Sequence, residues 1–283
     1  MADNYAVVGN PIAHSQSPQI HAAFAAQTGQ DIVYDRLLAP LDAFDVTIEA
    51  FAAAGGLGLN VTMPFKQQAF ALSHVIAPRA ELAGAVNTLS RRDGHWHGDN
   101  TDGTGIVVDL TKNLSVPIVG RTLLILGAGG ATRGILGPLL AEEPARVCIA
   151  NRTRARAEEI VCLFSDAGSL SASAPQDLAE PFDIVINATP WDSADDARHL
   201  PDTIFEDGAI AYDLVYAEAP TRFMRWALGH GVSRATDGFG MLVEQAAESF
   251  AIWRGIRPQT APVLASLRPG ERTVSRTTVS RNG

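Results

Sequence analysis

Two short stretches have the residue types to hold phosphate. Gly127-Ala128-Gly129-Gly130-Ala131-Thr132 follows the apolar run at 122–126, and Asn151-Arg152-Thr153-Arg154-Ala155-Arg156 follows the next one, at 146–150. A glycine-rich turn between a buried strand and a helix lets backbone approach a pyrophosphate, and the helix N-terminus adds free amides and a positive dipole end. A tight strand-to-helix turn would account for the glycines alone, and Thr132 stands where the usual fingerprint has Gly or Ala. The second stretch adds chemistry of its own. It begins 24 residues after Gly127, where folds that select NAD carry an acid for the ribose hydroxyls. Arginine there forks onto a 2′-phosphate, which an acid would repel. A solvated basic helix start is the plainer explanation, but basic groups at a helix N-terminus oppose the dipole and suit an anionic partner. The two stretches together predict NADP.

The elements around these stretches alternate. Residues 122–126, 146–150, 183–187 and 209–214 read as strands, and 131–140 and 154–164 as helices, which predicts a parallel doubly wound sheet. The first hundred residues have a separate α/β rhythm. Strands are expected at 5–9, 31–37 and 57–61. Helices are expected at 18–28, ending at Gly29, and around Phe44, Ile48 and Phe51. A hairpin is expected around Arg92-Asp93-Gly94. Residues 104–113 should form a linking helix, and 240–253 a helix that packs back on the first domain. The expected division is a substrate-binding, catalytic domain over 1–103, completed by helices within 239–267, and a Rossmann-like NADP-binding domain over 104–238. Residues 268–283 hold four arginines and few large apolar side chains, and are expected to be a disordered tail.

Composition narrows the partners. The chain has 283 residues, 46% hydrophobic and 19% charged, with a net charge of −9. That balance disfavours nucleic acid. No apolar run approaches the roughly eighteen residues of a membrane helix, and the start lacks a basic signal-peptide region. Cys148 and Cys162 are expected to be buried free thiols, in keeping with a cytoplasmic protein. His95 and His97 have metal-like spacing but read as alternate strand positions, and no metal site is expected. Oligomeric state stays open, a homodimer included.

A third group of segments bears on the substrate. Gly9 to Pro18 reads GNPIAHSQSP, with Ser17 expected as a helix N-cap and Pro18 as the first helical residue. Two hydroxyls at a helix start suit a carboxylate, although simple capping explains them too. Asn60-Val61-Thr62-Met63-Pro64-Phe65-Lys66, Gly84-Ala85-Val86-Asn87-Thr88, Gly98-Asp99-Asn100-Thr101-Asp102-Gly103 and Asp237-Gly238-Phe239-Gly240-Met241-Leu242, with Gln245, complete the set. In order and spacing it resembles the NADP-dependent shikimate dehydrogenase family, over residues 5 to about 265.

The resemblance implies reversible reduction of 3-dehydroshikimate by NADPH, in aromatic amino-acid and chorismate biosynthesis. It implies that Ser15 and Ser17 bind the substrate carboxylate, and that Thr62, Asn87, Asp102 and Gln245 hold its hydroxyls and carbonyl. Tyr216 would close over the ring and Lys66 would be the general acid/base. Gly127, Ala128, Gly129, Gly130, Ala131, Asn151, Arg152, Thr153, Arg154, Arg156, Leu214 and Gly238 would line the cofactor. The chemistry is coherent by itself: hydride added to a ketone leaves an alkoxide, which needs a proton and a nearby cation, and a lysine oriented by an aspartate supplies both. Two departures stand out. Pro190-Trp191-Asp192 replaces a small, serine- and glycine-rich loop, so Trp191 is expected at the cofactor cleft edge or turned to solvent. Leu214 replaces a common methionine, a change that keeps volume. Rival readings are a relative that also takes quinate or prefers NAD, a non-catalytic metabolite-binding relative, and a methylenetetrahydrofolate dehydrogenase.

Overall fold

The computed structural model describes residues 2–165, 168–191, 199–268 and 273–275. The chain divides into two compact units, one of residues 1–108 and 242–269, the other of 109–241 and 270–283.

The first unit opens with β1 (Asp3–Gly9), α1 (Ser17–Thr28), β2 (Ile32–Leu38), α2 (Phe44–Ala53) and β3 (Gly56–Val61). It continues with α3 (Lys66–Leu72), β4 (Val75–Ile76), α4 (Pro78–Ala83), β5 (Thr88–Arg92), β6 (His95–Asp99) and α5 (Asp102–Val108). Its sheet runs β2-β1-β3-β5-β6-β4. β1 is parallel to β2 and β3, whereas β5 is antiparallel to β3 and to β6. The β5–β6 hairpin turns on Asp93 and Gly94, both at positive φ (50° and 79°), as a two-residue type I′ turn requires. This arrangement places the carboxyl ends of β1, β3 and β6 and the amino end of β5 on one sheet edge, with Asn60 opposite Thr88 and Thr88 opposite Asp99. The core beneath holds Val8, Leu59, Val61, Phe65, Leu89 and Trp96.

The second unit has β7 (Thr122–Leu126), α6 (Gly130–Ala141), β8 (Arg146–Ala150), α7 (Arg154–Leu163), β9 (Leu170–Ser173), β10 (Phe182–Asn187), β11 (Phe205–Asp213), α8 (Arg222–Gly229) and β12 (Arg234–Thr236). α9 (Phe239–Arg254) and α10 (Ala261–Leu267) follow, and supply the later residues of the first unit. β13 (Thr273–Ser275) is the last described element. The second sheet runs β13-β12-β11-β10-β7-β8-β9, parallel except for β13. From β9 to β12 this is the 3-2-1-4-5-6 order of the doubly wound fold, whose switch point lies between β7 and β10. No helix of the described residues is long and apolar enough to cross a membrane.

Several expectations need correction. α1 starts at Ser17 with Gln16 flanking it, so Ser17 is the first helical residue and not the N-cap. The job falls to Ser15, whose Oγ accepts from the Ser17 amide at 3.3 Å. The helix expected at 104–113 starts at Asp102 and widens into a π-helical turn over Asp109–Asn113. The tail expected to be disordered contributes β13: Thr273, Val274 and Ser275 favour extended backbone, and Val274 packs on the second core. The rest of 269–283 lies outside the described residues. Cys148 is buried as expected, but Cys162 is exposed, on the outward face of α7.

His21 on α1 generates a prediction. It is fully buried, lies flat on Tyr34 (ring centroids 4.0 Å apart), and neither ring nitrogen has a partner among the described residues. Burial lowers its pKa to about 3; Asn60 lies near enough to oppose this, but its amide bonds to Ser249, Thr88 and the Asn87 carbonyl. The unfolded chain therefore takes up a proton below about pH 6.5 that the folded chain refuses, and stability falls with pH by about 1.4 kcal/mol per unit from this group. Urea unfolding at pH 6.5 and 5 should show a drop about 1.6 kcal/mol larger for the parent than for His21→Phe. Equal drops would contradict this.

Candidate active site

The loops that leave the polar edge of the first sheet carry the expected substrate residues. Lys66 is the first residue of α3, set there by the turn in which the Phe65 amide donates to the Thr62 carbonyl. Asp102 is the first residue of α5, and its amide donates to Asn100 Oδ1. Their side chains meet, with Lys66 Nζ 2.5 Å from Asp102 Oδ2. Asp102 is buried, and the lysine side chain is 21% exposed. The other carboxylate oxygen, Oδ1, accepts from Asn87 Nδ2 at 2.8 Å. Asn87 is held the right way round by backbone: its Oδ1 accepts from the Thr101 amide at 2.8 Å, so its NH2 group must face the acid.

Gln245 on α9 reaches the same cluster, with Oε1 3.3 Å from Asn87 Nδ2 and from Thr101 Oγ1. Ser15 and Ser17 are both buried and 3.2 Å apart, and Arg36 Nε donates to the Ser15 carbonyl at 2.8 Å. Thr62 packs against Gly9, where a Cβ would lie 2.5 Å from the threonine methyl. The structure thus joins Lys66, Asp102, Asn87 and Gln245 directly, and places the serine pair and Thr62 on neighbouring loops of the same edge. Tyr216 belongs to the other unit, where its ring faces Phe239 edge-on at 6.3 Å.

In the second unit the expected cofactor residues follow the carboxyl ends of β7, β8, β11 and β12, where ligands bind in open α/β sheets. Gly127 has φ +109°, and a Cβ there would sit 2.6 Å from the Thr189 methyl, so only glycine fits. Gly129 and Gly130 border open space. Thr132, the misfit in the fingerprint, is buried and donates from Oγ1 to the Gly127 carbonyl at 2.8 Å, which closes the turn. Gly238 crosses Leu214 so closely that a Cβ would meet its carbonyl oxygen at 2.3 Å. Asn151 Nδ2 caps the Thr153 carbonyl at 2.8 Å. Arg152, Arg154 and Arg156 are exposed, and Arg154 pairs with Glu158 one turn on, at 2.9 Å. Surface pairs at this spacing are weak, about 0.3–0.5 kcal/mol, and yield readily to a phosphate.

Trp191 is not turned out to solvent. It is half-buried on the second core, against Phe223 and Trp226, each ring at 5.1 Å. Aromatic spacing on α8 was the missed signal. Asp192 lies outside the described residues. The sequence reading also missed Asn60, Thr88, Thr101 and Ser249, a buried polar cluster behind Asn87. Asn60, Thr88 and Thr101 stand inside the quoted motifs, but single polar side chains at strand ends and in loops carry no pattern of their own.

Taken separately, the units define a dinucleotide-dependent oxidoreductase: one holds a lysine–aspartate pair among buried amides, the other a doubly wound sheet with a glycine-rich turn. Family models sharpen this. The shikimate dehydrogenase substrate-binding domain matches residues 7–89, shikimate/quinate 5-dehydrogenase matches 109–194, and the shikimate 5′-dehydrogenase C-terminal domain matches 238–268. A shikimate dehydrogenase (NADP(+)) of Alkalilimnicola ehrlichii is 57% identical over 95% of this chain and its own full length. Among solved structures, an Ael1 enzyme from Pseudomonas putida is 42% identical with a TM-score of 0.89, covering 95% of this chain and 99% of that one. A Thermus thermophilus shikimate 5-dehydrogenase in complex with NADP(H) and shikimate is 32% identical, with a TM-score of 0.79 and coverage of 92% and 96%. The chain belongs to the shikimate dehydrogenase family.

The close crossing at Gly238 is directly testable. Gly238→Ala forces a methyl onto a backbone carbonyl and should cost about 1–3 kcal/mol, the usual range for overpacking. Gly130→Ala, in open space at a helix start, should leave stability unchanged or raised. Urea unfolding of both variants checks the contrast, and equal effects would refute it.

Proposed function

We propose that the protein catalyses the reversible, NADPH-dependent reduction of 3-dehydroshikimate to shikimate, the step its relatives are named for in aromatic amino-acid (chorismate) biosynthesis. The observation that carries this is the 2.5 Å contact of Lys66 with a buried Asp102, itself gripped by Asn87. When bound, NADPH supplies hydride to the substrate ketone. The alkoxide so formed needs a proton, and the Lys66 ammonium is the donor; in the reverse direction its neutral amine is the acceptor. Asp102 keeps Nζ in place, and its second oxygen, with Asn87, Thr62 and Gln245, holds ring hydroxyls. Ser15 and Ser17 take the carboxylate.

The residues of the second unit suit NADP. The space left by Gly127, Gly129 and Gly130 suits a pyrophosphate, and Leu214 and Gly238 form an adjoining wall. The exposed Arg152, Arg154 and Arg156, of which Arg154 pairs weakly with Glu158, suit the 2′-phosphate. Asn151, Thr153, Ala128 and Ala131 complete the loops. A net charge of −9 disfavours nucleic acid as a partner, and two free thiols suit the cytoplasm.

Oxidation of NADPH with 3-dehydroshikimate, against NADP reduction with shikimate and with quinate, tests the substrate. Turnover of neither shikimate nor 3-dehydroshikimate would overturn the proposal. Lys66→Ala should lower kcat by about 10²–10⁴, with a much smaller change in shikimate binding; near-normal kcat in the folded variant would remove Lys66 from the chemistry. Replacing Arg152 and Arg154 by glutamine should raise KM for NADP while scarcely altering the use of NAD. Equal losses for both cofactors would show that these arginines do not read the 2′-phosphate.

A further inference from the structure

Behind Asn87 lies a set of buried polar side chains that the proposed chemistry does not use: Tyr34, Asn60, Thr88, Thr101 and Ser249. Their hydrogen bonds run in one direction. The Tyr34 hydroxyl donates to Asn60 Oδ1 at 2.8 Å. The Asn60 amide is oriented by the Asn87 carbonyl, which can only accept (3.4 Å), so Nδ2 donates onward to Ser249 Oγ at 2.8 Å. Thr88 gives its proton to Asn87 Oδ1 at 2.8 Å, which also only accepts. With the Thr88 proton used in this way, the 2.8 Å contact between Ser249 and Thr88 is a hydrogen bond when Ser249 donates. The other groups within reach of Ser249 Oγ are the Gln245 carbonyl, one turn back at 3.0 Å, and Thr101 Oγ1 at 3.2 Å. Asn87 finally donates to Asp102, which faces Lys66.

We propose that Thr88 and Ser249 are positioning residues for the Lys66–Asp102 pair, acting through the side-chain amide of Asn87. This rests on the reading of Lys66 and Asp102 given above. The physical reason is that an asparagine amide has two orientations. The flipped one would set a carbonyl oxygen against the Asp102 carboxylate and an NH2 group against the Thr101 amide. Thr88 adds a second donor to Asn87 Oδ1, so a flip would also leave a buried hydroxyl facing a donor. Ser249 fixes which way the Thr88 proton points, because a hydroxyl that accepts from one side donates to the other. Ser249 comes from α9, far along the chain, so that helix bears on the acid–base pair without touching it.

The test uses Thr88→Val, Thr88→Ser and Ser249→Ala in the full-length protein, with kcat, KM for shikimate and NADP, and melting temperature. Thr88→Val should lower kcat about ten- to a hundredfold, the scale of small misplacements remote from the chemistry, with KM for NADP unchanged. Thr88→Ser restores the donor and should restore kcat. Ser249→Ala, a substitution that helices accept, should move kcat the same way by less, and decides the matter if the valine variant does not fold. In an Asp102→Asn background the Thr88→Val loss should disappear, because the pathway it acts through is already broken. Folded Thr88→Val or Ser249→Ala enzymes with unchanged kcat overturn the proposal, as does an equal loss in the Asp102→Asn background; either would leave a merely structural cluster. A Lys66→Ala enzyme with normal kcat would instead overturn the underlying reading of the site.

Discussion

Everything in the first unit answers to one buried carboxylate. Asp102 is shielded from water, so its charge has to be met by protein groups, and the loops are arranged to meet it. Lys66 arrives from the start of α3 and Asn87 from the amino end of β5, while the Asp102 amide is tied to Asn100. Removing one member of such a pair leaves an uncompensated charge, typically worth about 3–5 kcal/mol. The same compensation holds the lysine ammonium at a fixed place beside that carboxylate, as the proposed proton transfer requires.

The loop that carries Asp102 is braced from outside. Arg79 grips Asp99 through two nitrogens, at 2.6 and 2.9 Å, and also reaches Thr104 and Glu248. Arg257 pairs with Glu248 and Glu244 on α9. Trp253 lies across the strands, its Nε1 donating to the Leu89 carbonyl at 3.0 Å and its ring filling the space that Gly58 leaves open. One turn and two turns back along α9 are Ser249 and Gln245, so the anchoring of this helix and the placement of the site residues come from the same element.

The parts legible in the sequence were those with a local cause. The strands of the doubly wound sheet show as apolar runs because both faces are covered. The hairpin shows because Asp93-Gly94 demands positive φ. The glycine turn shows because φ +109° at Gly127 excludes every other residue. Lys66, Asp102, Asn87 and Gln245 stood out through the family motifs, and the structure adds their contacts. What stayed hidden has a tertiary cause. α3 and α4 are short, at seven and six residues, and too brief to show a period. Thr132 looked like a defect and is a turn closure. Trp191 was expected at a cleft edge or in solvent, and its packing depends on Phe223 and Trp226, one α8 turn apart. Ser249 sits in an apolar helix with nothing local to mark it, since its role exists only beside Asn60 and Thr88.

In the proposed chemistry a single ammonium, held by Asp102, moves the proton. Rescue of the Lys66→Ala enzyme by small alkylamines measures this most directly. Its rate of shikimate oxidation should rise with amine concentration and saturate, and Asp102→Asn in the same background should abolish the rise, since the carboxylate that would hold the added ammonium is gone. A rate that stays flat while the amine demonstrably occupies the site, or rescue that survives the loss of Asp102, would contradict it.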